Sequence, residues 1–327
     1  MGRLLARSAM IGLLVSSLSS LASAEAPEPF IRSGQRIAFL GDSNTYAGHY
    51  ITILETWLRR HYPEGRWTLI NLGLPGETAS ALSEPAHPYP RPCIHTRLES
   101  ALEKSQPDVV ILGYGTNDGI YYPFSEERFA SYREGMSNLI AACRHTGAKI
   151  VLLTPPPFNP EPMRKAGQIK PAGEKEYAWF AAYEDYDEVM ERYARWVLAQ
   201  ADSVDIAVDI RAPMAAEMKR QQQGASKAAI LPDGIHYSLD GHRIVASKLW
   251  AAWKLGPAMP TDGTDEELFR LVGRRQRLLR DAWLTHVGHK RPGMNAGLPL
   301  DKAQAQADEM LKEAFKKQES QSSRNGH

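Results

Sequence analysis

The 327-residue chain lacks the sequence features that indicate a metal, redox or nucleic-acid-binding protein. Its two cysteines, Cys93 and Cys143, do not form a Cys-x-x-Cys pair, and none of its ten histidines belongs to a His-Glu-x-x-His motif. Acidic and basic residues nearly balance, with a formal net charge of +1. There is therefore no electrostatic reason to expect nucleic acid or an anionic membrane as a partner, and no metal site is predicted.

Long hydrophobic runs are scarce, and the first 24 residues stand apart from the rest. Arg3 and Arg7 precede an apolar run over 9–21, and residues 22–24 have the small-x-small pattern of a cleavage site. This predicts a signal peptide over 1–24 that is cut after Ala24, and hence a periplasmic or extracellular protein. The run is shorter than a membrane span, so cleavage is favoured over an uncleaved anchor.

Export bears on whether the two cysteines form a disulfide. An oxidising compartment would let Cys93 and Cys143 form a disulfide. Two separate thiols are the alternative, which we favour, although spacing in sequence does not reveal the geometry that a bridge needs.

Short apolar runs that end in Gly, Asn or Pro alternate with helix-like segments. Such continuous β-branched runs are typical of strands buried on both faces of a parallel sheet. The runs cover 36–40, 67–70, 108–112, 149–153 and 204–208, and two helices with clear apolar stripes are predicted over 50–61 and 129–145. This alternation predicts an α/β three-layer sandwich with right-handed crossovers.

The predicted hydrolase domain covers 25–257 and includes a lid-like insertion over 158–201, which is too long for a simple connection. Its second part, 177–198, is predicted to be a helix dense in aromatic residues. These could form a lid that stacks on sugar, although packing of an amphipathic helix is the explanation we favour. The aromatic residues are Tyr177, Trp179, Phe180, Tyr183 and Tyr186.

Residues 258–327 form a predicted C-terminal helical extension, with helices over 265–285 and 301–317 and a disordered polar tail from Gln318. This extension either packs on the core or mediates self-association. The oligomeric state stays open.

A candidate nucleophile, Ser43, directly follows the first predicted strand. Ligands of parallel sheets bind beyond the carboxyl ends of the strands, so this serine is expected at a crevice. A serine hydroxyl needs a base to remove its proton, and His236 offers one. Asp233, three residues before it, is close enough to orient the imidazole and to stabilise its charged form.

Two residues after neighbouring strands could stabilise the oxyanion of a tetrahedral intermediate. Asn117 offers a side-chain amide, and Gly76 offers a backbone N–H where a side chain would block substrate. With a strand order of 2-1-3-4-5 they would lie on either side of Ser43, whose own N–H could also donate. Gly73 lies near enough to replace Gly76 as the donor.

These motifs, in this order, resemble the blocks of the SGNH (GDSL) hydrolase family over roughly residues 34–253. The resemblance implies a flavodoxin-like sheet, no cofactor, and ester hydrolysis through an acyl-enzyme. It implies the catalytic residues Ser43, Asp233 and His236, with Gly76 and Asn117 as oxyanion partners. The leucine that often follows the serine in the family is Asn44 here, so the substrate wall is expected to differ.

Three residues are predicted to contact substrate. Asn44 adjoins Ser43, and Tyr121 and Tyr122 follow the loop that carries Asn117.

The favoured substrate is an O-acetyl group on carbohydrate, which we infer from export and from the shallow crevice that the resemblance implies. A short-chain lipid esterase or lysophospholipase with the same mechanism is an alternative. A non-catalytic glycan-binding domain is a third interpretation, but its usual sign would be loss of Ser43 or His236, and both are present. The expected partner is a small-molecule or glycan ester, without nucleic acid and without lasting membrane insertion.

Overall fold

The computed structural model describes residues 28–227, 229–256 and 266–325, with side chains up to residue 312. The predicted signal peptide lies outside these residues. Within these ranges seven strands occur, in chain order β1 (Arg36–Gly41), β2 (Thr68–Asn71), β3 (Val109–Gly113), β4 (Lys149–Leu153), β5 (Ile169–Lys170), β6 (Ala182–Tyr183) and β7 (Ile206–Val208). Five of them form the main sheet, in the order β2-β1-β3-β4-β7 with every pair parallel. This is the predicted 2-1-3-4-5 order, so the α/β flavodoxin-like fold class is confirmed.

The helices of the described residues are α1 (Ser43–Ala47), α2 (His49–His61), α3 (Leu98–Ser105), α4 (Glu126–His145), α5 (Pro160–Lys165), α6 (Tyr186–Leu198), α7 (Arg211–Gln222), α8 (Leu239–Ala252), α9 (Glu266–Val287) and α10 (Leu300–Asn325). A single 3-10 turn, Ile94–Thr96, precedes α3. The two helices predicted at 50–61 and 129–145 correspond to α2 and α4.

The main sheet is covered on both faces, which explains its continuous apolar strands. In β1, Ile37 and Phe39 pack with α2, α7 and α8, whereas Ala38 and Leu40 point to α3, α4 and α6. All four side chains are at most 1% exposed. Because successive side chains of a strand point to opposite faces, a run without polar residues requires a helix layer on each side.

The segment after β4 differs from the predicted secondary structure at one point. The helix expected over 177–198 begins only at Tyr186, and as α6 it belongs to the crossover from β4 to β7. Two residues before it, Ala182 and Tyr183, pair instead with β5 in a small parallel sheet. Strand pairing satisfies the backbone groups there and competes with helix formation.

The five aromatic residues of the insertion differ in burial, and Tyr183 is half-buried. Tyr177 and Tyr186 are buried, in agreement with the packing that was favoured from the sequence. Trp179 and Phe180 are 46% and 40% exposed, so packing does not explain these two side chains.

The C-terminal helices pack on the core. α9 lies against β2 and α2, and α10 lies on α9. Ala282 and Trp283 of α9 join the same apolar cluster as the α3, α4 and α6 layer, together with Ala303 and Ala307 of α10. The helix α10 runs to Asn325, so the prediction of disorder from Gln318 is wrong for 318–325. No Gly or Pro interrupts the chain before Gly326, so nothing in the sequence ends this helix earlier.

Both cysteines are free thiols: Cys143 is buried and Cys93 half-buried. Burial raises the pKa of the Cys143 thiol to about 12. Within the described ranges, no helix is both long and apolar enough to cross a membrane.

Candidate active site

Ser43 begins α1, directly beyond the carboxyl end of β1. Asp42 caps this helix: its carboxylate accepts a hydrogen bond from the backbone N–H of Asn44 at 2.9 Å. The turn requires Gly41, since a Cβ there would lie 2.3 Å from the Thr45 hydroxyl. The first N–H groups of a helix have no acceptor within the helix, so the N–H of Ser43 is available to an external acceptor.

A chain of hydrogen bonds links Ser43, His236 and Asp233. Ser43 Oγ lies 2.9 Å from His236 Nε2, and His236 Nδ1 lies 2.7 Å from Asp233 Oδ2. The other oxygen of Asp233 accepts from the backbone N–H groups of Ile235 and His236, at 2.9 and 2.7 Å. The short loop before α8 therefore holds its own carboxylate in place beside the imidazole.

The hydrogen bonds and pKa shifts of Asp233 and His236 indicate which nitrogen of the imidazole carries the proton. Burial would raise the pKa of Asp233, but the hydrogen bonds from the His236 side chain and from two backbone N–H groups outweigh it and lower the pKa to about 2. The hydrogen bond to Asp233 raises the pKa of His236 above its usual value, against the opposing effect of burial. An ionised carboxylate only accepts, so Nδ1 carries the proton of the neutral ring, and Nε2 can accept the proton of Ser43.

Asn44, predicted to contact substrate, is 4% exposed and hydrogen-bonded within the protein. Its Nδ2 donates to the carbonyl of Ile235 at 3.3 Å, and its Oδ1 accepts from the N–H of Tyr237 at 2.9 Å. Both ends of the amide are thus committed to the backbone on either side of His236. Asn44 joins the loop of the base to the helix of Ser43.

Asp42, which the sequence analysis did not assign a role, is buried beneath this junction. Burial raises its pKa to about 6, although the hydrogen bond from Asn44 and the nearby His236 both act to lower it. Asp42 and His236 therefore interact electrostatically, and each charge favours the ionised form of the other.

Gly76 lies in a tight turn after β2. The N–H of Glu77 donates to the carbonyl of Leu74 at 3.1 Å, and Gly76 has a φ of +80°. With Pro75 before it, these are the features of a type II turn. A Cβ on Gly76 would meet its first neighbour, Arg91, only at 3.5 Å. Within the protein itself, the requirement for glycine is therefore its backbone conformation, because the protein leaves room for a Cβ.

Gly73, the alternative donor, is engaged elsewhere. Its N–H donates to Oδ1 of Asn71 at 2.9 Å. A Cβ on Gly73 would lie 2.3 Å from the backbone nitrogen of Tyr46, so this glycine allows the loop after β2 to approach α1. Of the two glycines, Gly76 is the one with an uncommitted N–H in this structure.

Asn117 reaches the same loop from the end of β3. Its Nδ2 lies 3.2 Å from the carbonyl of Glu77, and its Oδ1 accepts from the hydroxyl of Tyr121 at 3.1 Å. The backbone that presents this hydroxyl is strained, since Ile120 and Tyr121 have φ of 48° and 64°. A left-handed β-branched residue is rare and often marks a functional site.

Tyr121 and Tyr122 have different positions relative to the predicted substrate site. Tyr121 is 2% exposed and stacks on Tyr186 with ring centroids 5.0 Å apart. Its role is to orient the amide of Asn117. Tyr122 is half-buried, and its ring meets Tyr177 of the insertion at 5.0 Å.

Two buried ion pairs support the loop after β2. Arg97 binds both carboxylate oxygens of Glu77, at 2.7 and 2.6 Å, and Arg91 binds Glu84 in the same way at 2.6 and 2.7 Å. The hydroxyl of Tyr114 also donates to Glu77, at 2.7 Å. Removing one partner of such a pair costs about 3–5 kcal/mol, because the other charge stays buried.

These ion pairs could not be predicted from the sequence. Their partners lie seven and twenty residues apart in loops, and such separations give no periodic sequence pattern. Asp118 was also missed as a support of the site. It accepts from the N–H groups of Ala79 and Ser80, both at 2.8 Å, and so ties the loop after β3 to the loop after β2. Among the described residues, no group of three or more His, Cys, Asp or Glu side chains could hold a metal ion.

A hydroxyl, an imidazole and a carboxylate linked in this order at the strand ends of a parallel α/β sheet define a serine hydrolase. The sequence matches the GDSL-like lipase/acylhydrolase family over residues 39–244, more than half of the chain. The chain belongs to this family, and it is a serine carboxylic-ester hydrolase.

Solved structures with a similar fold include a variant of Axe2, an acetyl xylan esterase from Geobacillus stearothermophilus. The identity is 22%, the match covers 68% of this chain and 96% of that one, and the TM-score is 0.51. A catalytic mutant of the same enzyme matches with 21% identity, 71% and 99% coverage and a TM-score of 0.52. A gut microbial diltiazem-metabolizing enzyme matches with 19% identity over 68% of this chain and 47% of that one, at a TM-score of 0.53. No curated protein matches the sequence.

Proposed function

We propose that the protein is an exported esterase that removes small acyl groups, above all O-acetyl groups, from carbohydrate. The observation that carries the hydrolytic part is the hydrogen-bonded chain from Ser43 through His236 to Asp233. Ser43 is the nucleophile, His236 the general base and acid, and Asp233 the residue that orients and stabilises the imidazolium.

In this mechanism Ser43 Oγ attacks the ester carbonyl carbon while its proton passes to His236 Nε2. The oxyanion of the tetrahedral intermediate accepts hydrogen bonds from the N–H groups of Ser43 and Gly76 and from Asn117 Nδ2. The bond between the acyl carbon and the ester oxygen then breaks, and His236 gives its proton to that oxygen, which leaves as a hydroxyl of the sugar. Water attacks the acyl-enzyme with His236 as base, which releases the carboxylic acid and restores Ser43.

The openness of the site supports a substrate whose ester is attached to a large molecule. The side chains of His236 and Asp233 are 50% and 54% exposed, so a bulky sugar chain can approach the reacting atoms. The acetyl xylan esterases of similar fold act on this class of ester, which also supports the proposal.

An exposed aromatic pair near the site gives a second reason. Ala178 and Ala181 exchange both backbone hydrogen bonds, at 3.0 and 2.9 Å, so Trp179 and Phe180 form the two-residue tip of a hairpin. Such tips favour Gly, Asn or Asp, and large exposed aromatic residues there suggest a binding role. The same segment is attached to the site, since the N–H of Tyr183 donates to the carbonyl of Tyr121.

Export rests on the N-terminal sequence, with its basic residues, apolar run and small residues before position 25. We propose cleavage after Ala24. Expression with a secretion-competent host and N-terminal sequencing of the exported protein tests this, with Glu25 as the expected first residue.

The hydrolytic mechanism is tested with a fluorophosphonate probe, which labels activated serines. The wild type should be labelled, whereas the Ser43→Ala variant should stay unlabelled and inactive with nearly unchanged thermal stability. A folded wild type that resists labelling and hydrolyses no ester contradicts the mechanism.

The substrate class is tested separately, by measuring acid released from acetylated xylan, acetylated pectin and a lysophospholipid. Acetate release from a polysaccharide supports the proposal. Hydrolysis of the lipid alone contradicts the carbohydrate part and leaves the esterase mechanism intact.

A further inference from the structure

The peptide that joins Pro75 to Gly76 determines where the Gly76 N–H points. In a planar trans peptide the N–H of one residue and the C=O of the residue before it point in opposite directions. Type I and type II turns differ mainly in the orientation of this central peptide, which is turned over between them. Glycine accepts both conformations, so Gly76 by itself does not keep its N–H on one side.

An arginine from the C-terminal extension holds this peptide. Arg291, in the loop between α9 and α10, donates from Nε to the carbonyl of Pro75 at 2.8 Å. Its guanidinium carbon lies 5.5 Å from the ring centroid of Tyr89, and its Nη1 donates to the carbonyl of Pro292 at 2.9 Å. The side chain is therefore held on three sides, and the loop that carries it lies beyond the family match at 39–244.

A second arginine holds the next peptide. Arg91, paired with Glu84, donates from Nη1 to the carbonyl of Gly76 at 3.2 Å. The same guanidinium lies 5.5 Å from the ring centroid of Tyr121, whose hydroxyl donates to Asn117. The carbonyls on both sides of the Gly76 N–H thus face a cation, and one of these cations also packs on the residue that orients Asn117.

We propose that Arg291 is a positioning residue for the oxyanion hole, through which the C-terminal extension becomes part of the catalytic unit. The inference rests on the proposed role of Gly76 as a donor. A cation at the Pro75 carbonyl opposes the turning-over of the peptide, because this movement would break a charge-assisted hydrogen bond. It also polarises the peptide, which makes the N–H at its other end a stronger donor. Both effects act on the transition state, where the negative charge develops.

The test compares Arg291→Met with Arg274→Met. Arg274 is an exposed arginine of α9 with no hydrogen bond or ion pair in the part of the chain that the structure describes, so its variant controls for loss of one charge. We expect Arg291→Met to lower kcat on p-nitrophenyl acetate by about tenfold, since complete loss of an oxyanion donor lowers it by roughly a hundredfold to a thousandfold. KM and the melting temperature should match those of Arg274→Met.

Two further measurements separate positioning from a merely structural role. The inhibition constant of phenylboronic acid, which forms a tetrahedral anionic adduct with the serine, should rise by the same factor as kcat/KM falls. Arg291→Lys should recover part of kcat, because an ammonium group can also donate to the Pro75 carbonyl.

The inference is overturned if kcat of Arg291→Met equals that of Arg274→Met. It is likewise overturned if kcat/KM falls only because KM rises. It is also overturned if boronate affinity stays unchanged while kcat falls. A wild type that turns over no ester and binds no boronate overturns the proposed function as well, so the two failures are distinguishable.

Discussion

Replacing Asp233 by Asn should move the acid limb of the pH profile to lower pH while greatly lowering the rate. Catalysis requires neutral His236, so kcat/KM falls as the pH drops through the pKa of this histidine. In the wild type the hydrogen bond and charge of Asp233 raise this pKa above 6.5, and the acid limb should lie above that value. In Asp233→Asn the effect of burial remains and lowers the pKa, so the limb moves toward acid.

The size of the rate loss follows from the orientation of the imidazole. Asp233 accepts from Nδ1 at 2.7 Å and so leaves Nε2 free to take the proton of Ser43. An asparagine can donate to Nδ1 and favour the wrong tautomer, which lowers kcat by roughly 10⁴ in a triad of this kind.

Asp233→Asn should also lower the free energy of unfolding, because it removes the pair of His236 and Asp233. Because the folded-state pKa of His236 is raised, its pairing with Asp233 stabilises the fold below pH 6.5, and this contribution is lost as the pH rises through the higher folded pKa. The Asp233 contribution is present above pH 3.8 and is lost as the pH falls through about 2. Since both side chains are half-exposed, solvent limits the pair to about 1 kcal/mol or less.

The assay is kcat/KM for p-nitrophenyl acetate across the acid and neutral range, with thermal unfolding measured at the same pH values. Asp240→Asn is the matched control, since Asp240 is an exposed carboxylate of α8 that pairs with Arg243. An acid limb near pH 6 that stays in place in Asp233→Asn would refute the reasoning. It would indicate that buried Asp42, with a pKa of about 6, governs the limb instead.

Three further substitutions test the other parts of the site. Gly76→Ala places a side chain at φ +80°, so we expect a loss of about 1–2 kcal/mol in unfolding free energy and a fall in kcat. Tyr121→Phe removes the donor to Asn117 Oδ1, and kcat should fall by about tenfold with KM nearly unchanged. Trp179→Ala should raise KM for an acetylated oligosaccharide several-fold, by about 1 kcal/mol of binding, and leave p-nitrophenyl acetate hydrolysis unchanged.

Each of these predictions has an outcome that contradicts it. Full activity in Gly76→Ala would exclude the Gly76 N–H as a necessary donor. If Tyr121→Phe lowers the melting temperature but leaves kcat unchanged, Tyr121 contributes to packing and does not orient Asn117 for catalysis. Equal losses on the oligosaccharide and on p-nitrophenyl acetate in Trp179→Ala would mean that the hairpin tip supports the site without binding sugar.

The sheet could be predicted because its strands are apolar at every position. A run such as 36–40 has to be buried on both faces, and five such runs separated by helix-like segments leave a covered parallel sheet as the natural arrangement. The positions of Ser43 and Asn117 follow from the sheet, since each lies in the segment just after a strand, and neighbouring parallel strands end at the same edge. Local sequence also brought Asp233 beside His236, because three residues fit within one turn of chain.

The residue at which α6 begins could not be predicted from the periodicity of the sequence. Residues 177–185 have the aromatic spacing of an amphipathic helix, but pairing of β6 with β5 satisfies their backbone in another way. Strand pairing depends on a partner distant in sequence, which a local pattern does not reveal.

The roles of individual side chains at the site depended on tertiary structure for a related reason. Asn44 and Tyr121 adjoin functional residues in sequence, yet both are buried and hold backbone or side-chain groups from other segments. Neighbours along a chain point in different directions, so proximity in sequence to Ser43 or Asn117 does not imply contact with substrate.

By itself, then, the sequence determined the class of fold and the family and indicated the residues that we propose for the hydrolytic site, because these depend on strand burial and on motifs a few residues long. Only the tertiary structure decided which glycine has an uncommitted N–H and which side chains hold its peptide. Arg291 reaches Pro75 across 216 positions of the chain. A hydrogen bond over such a distance requires two loops to be brought together by the packing of α9 on β2, and no local pattern records that packing.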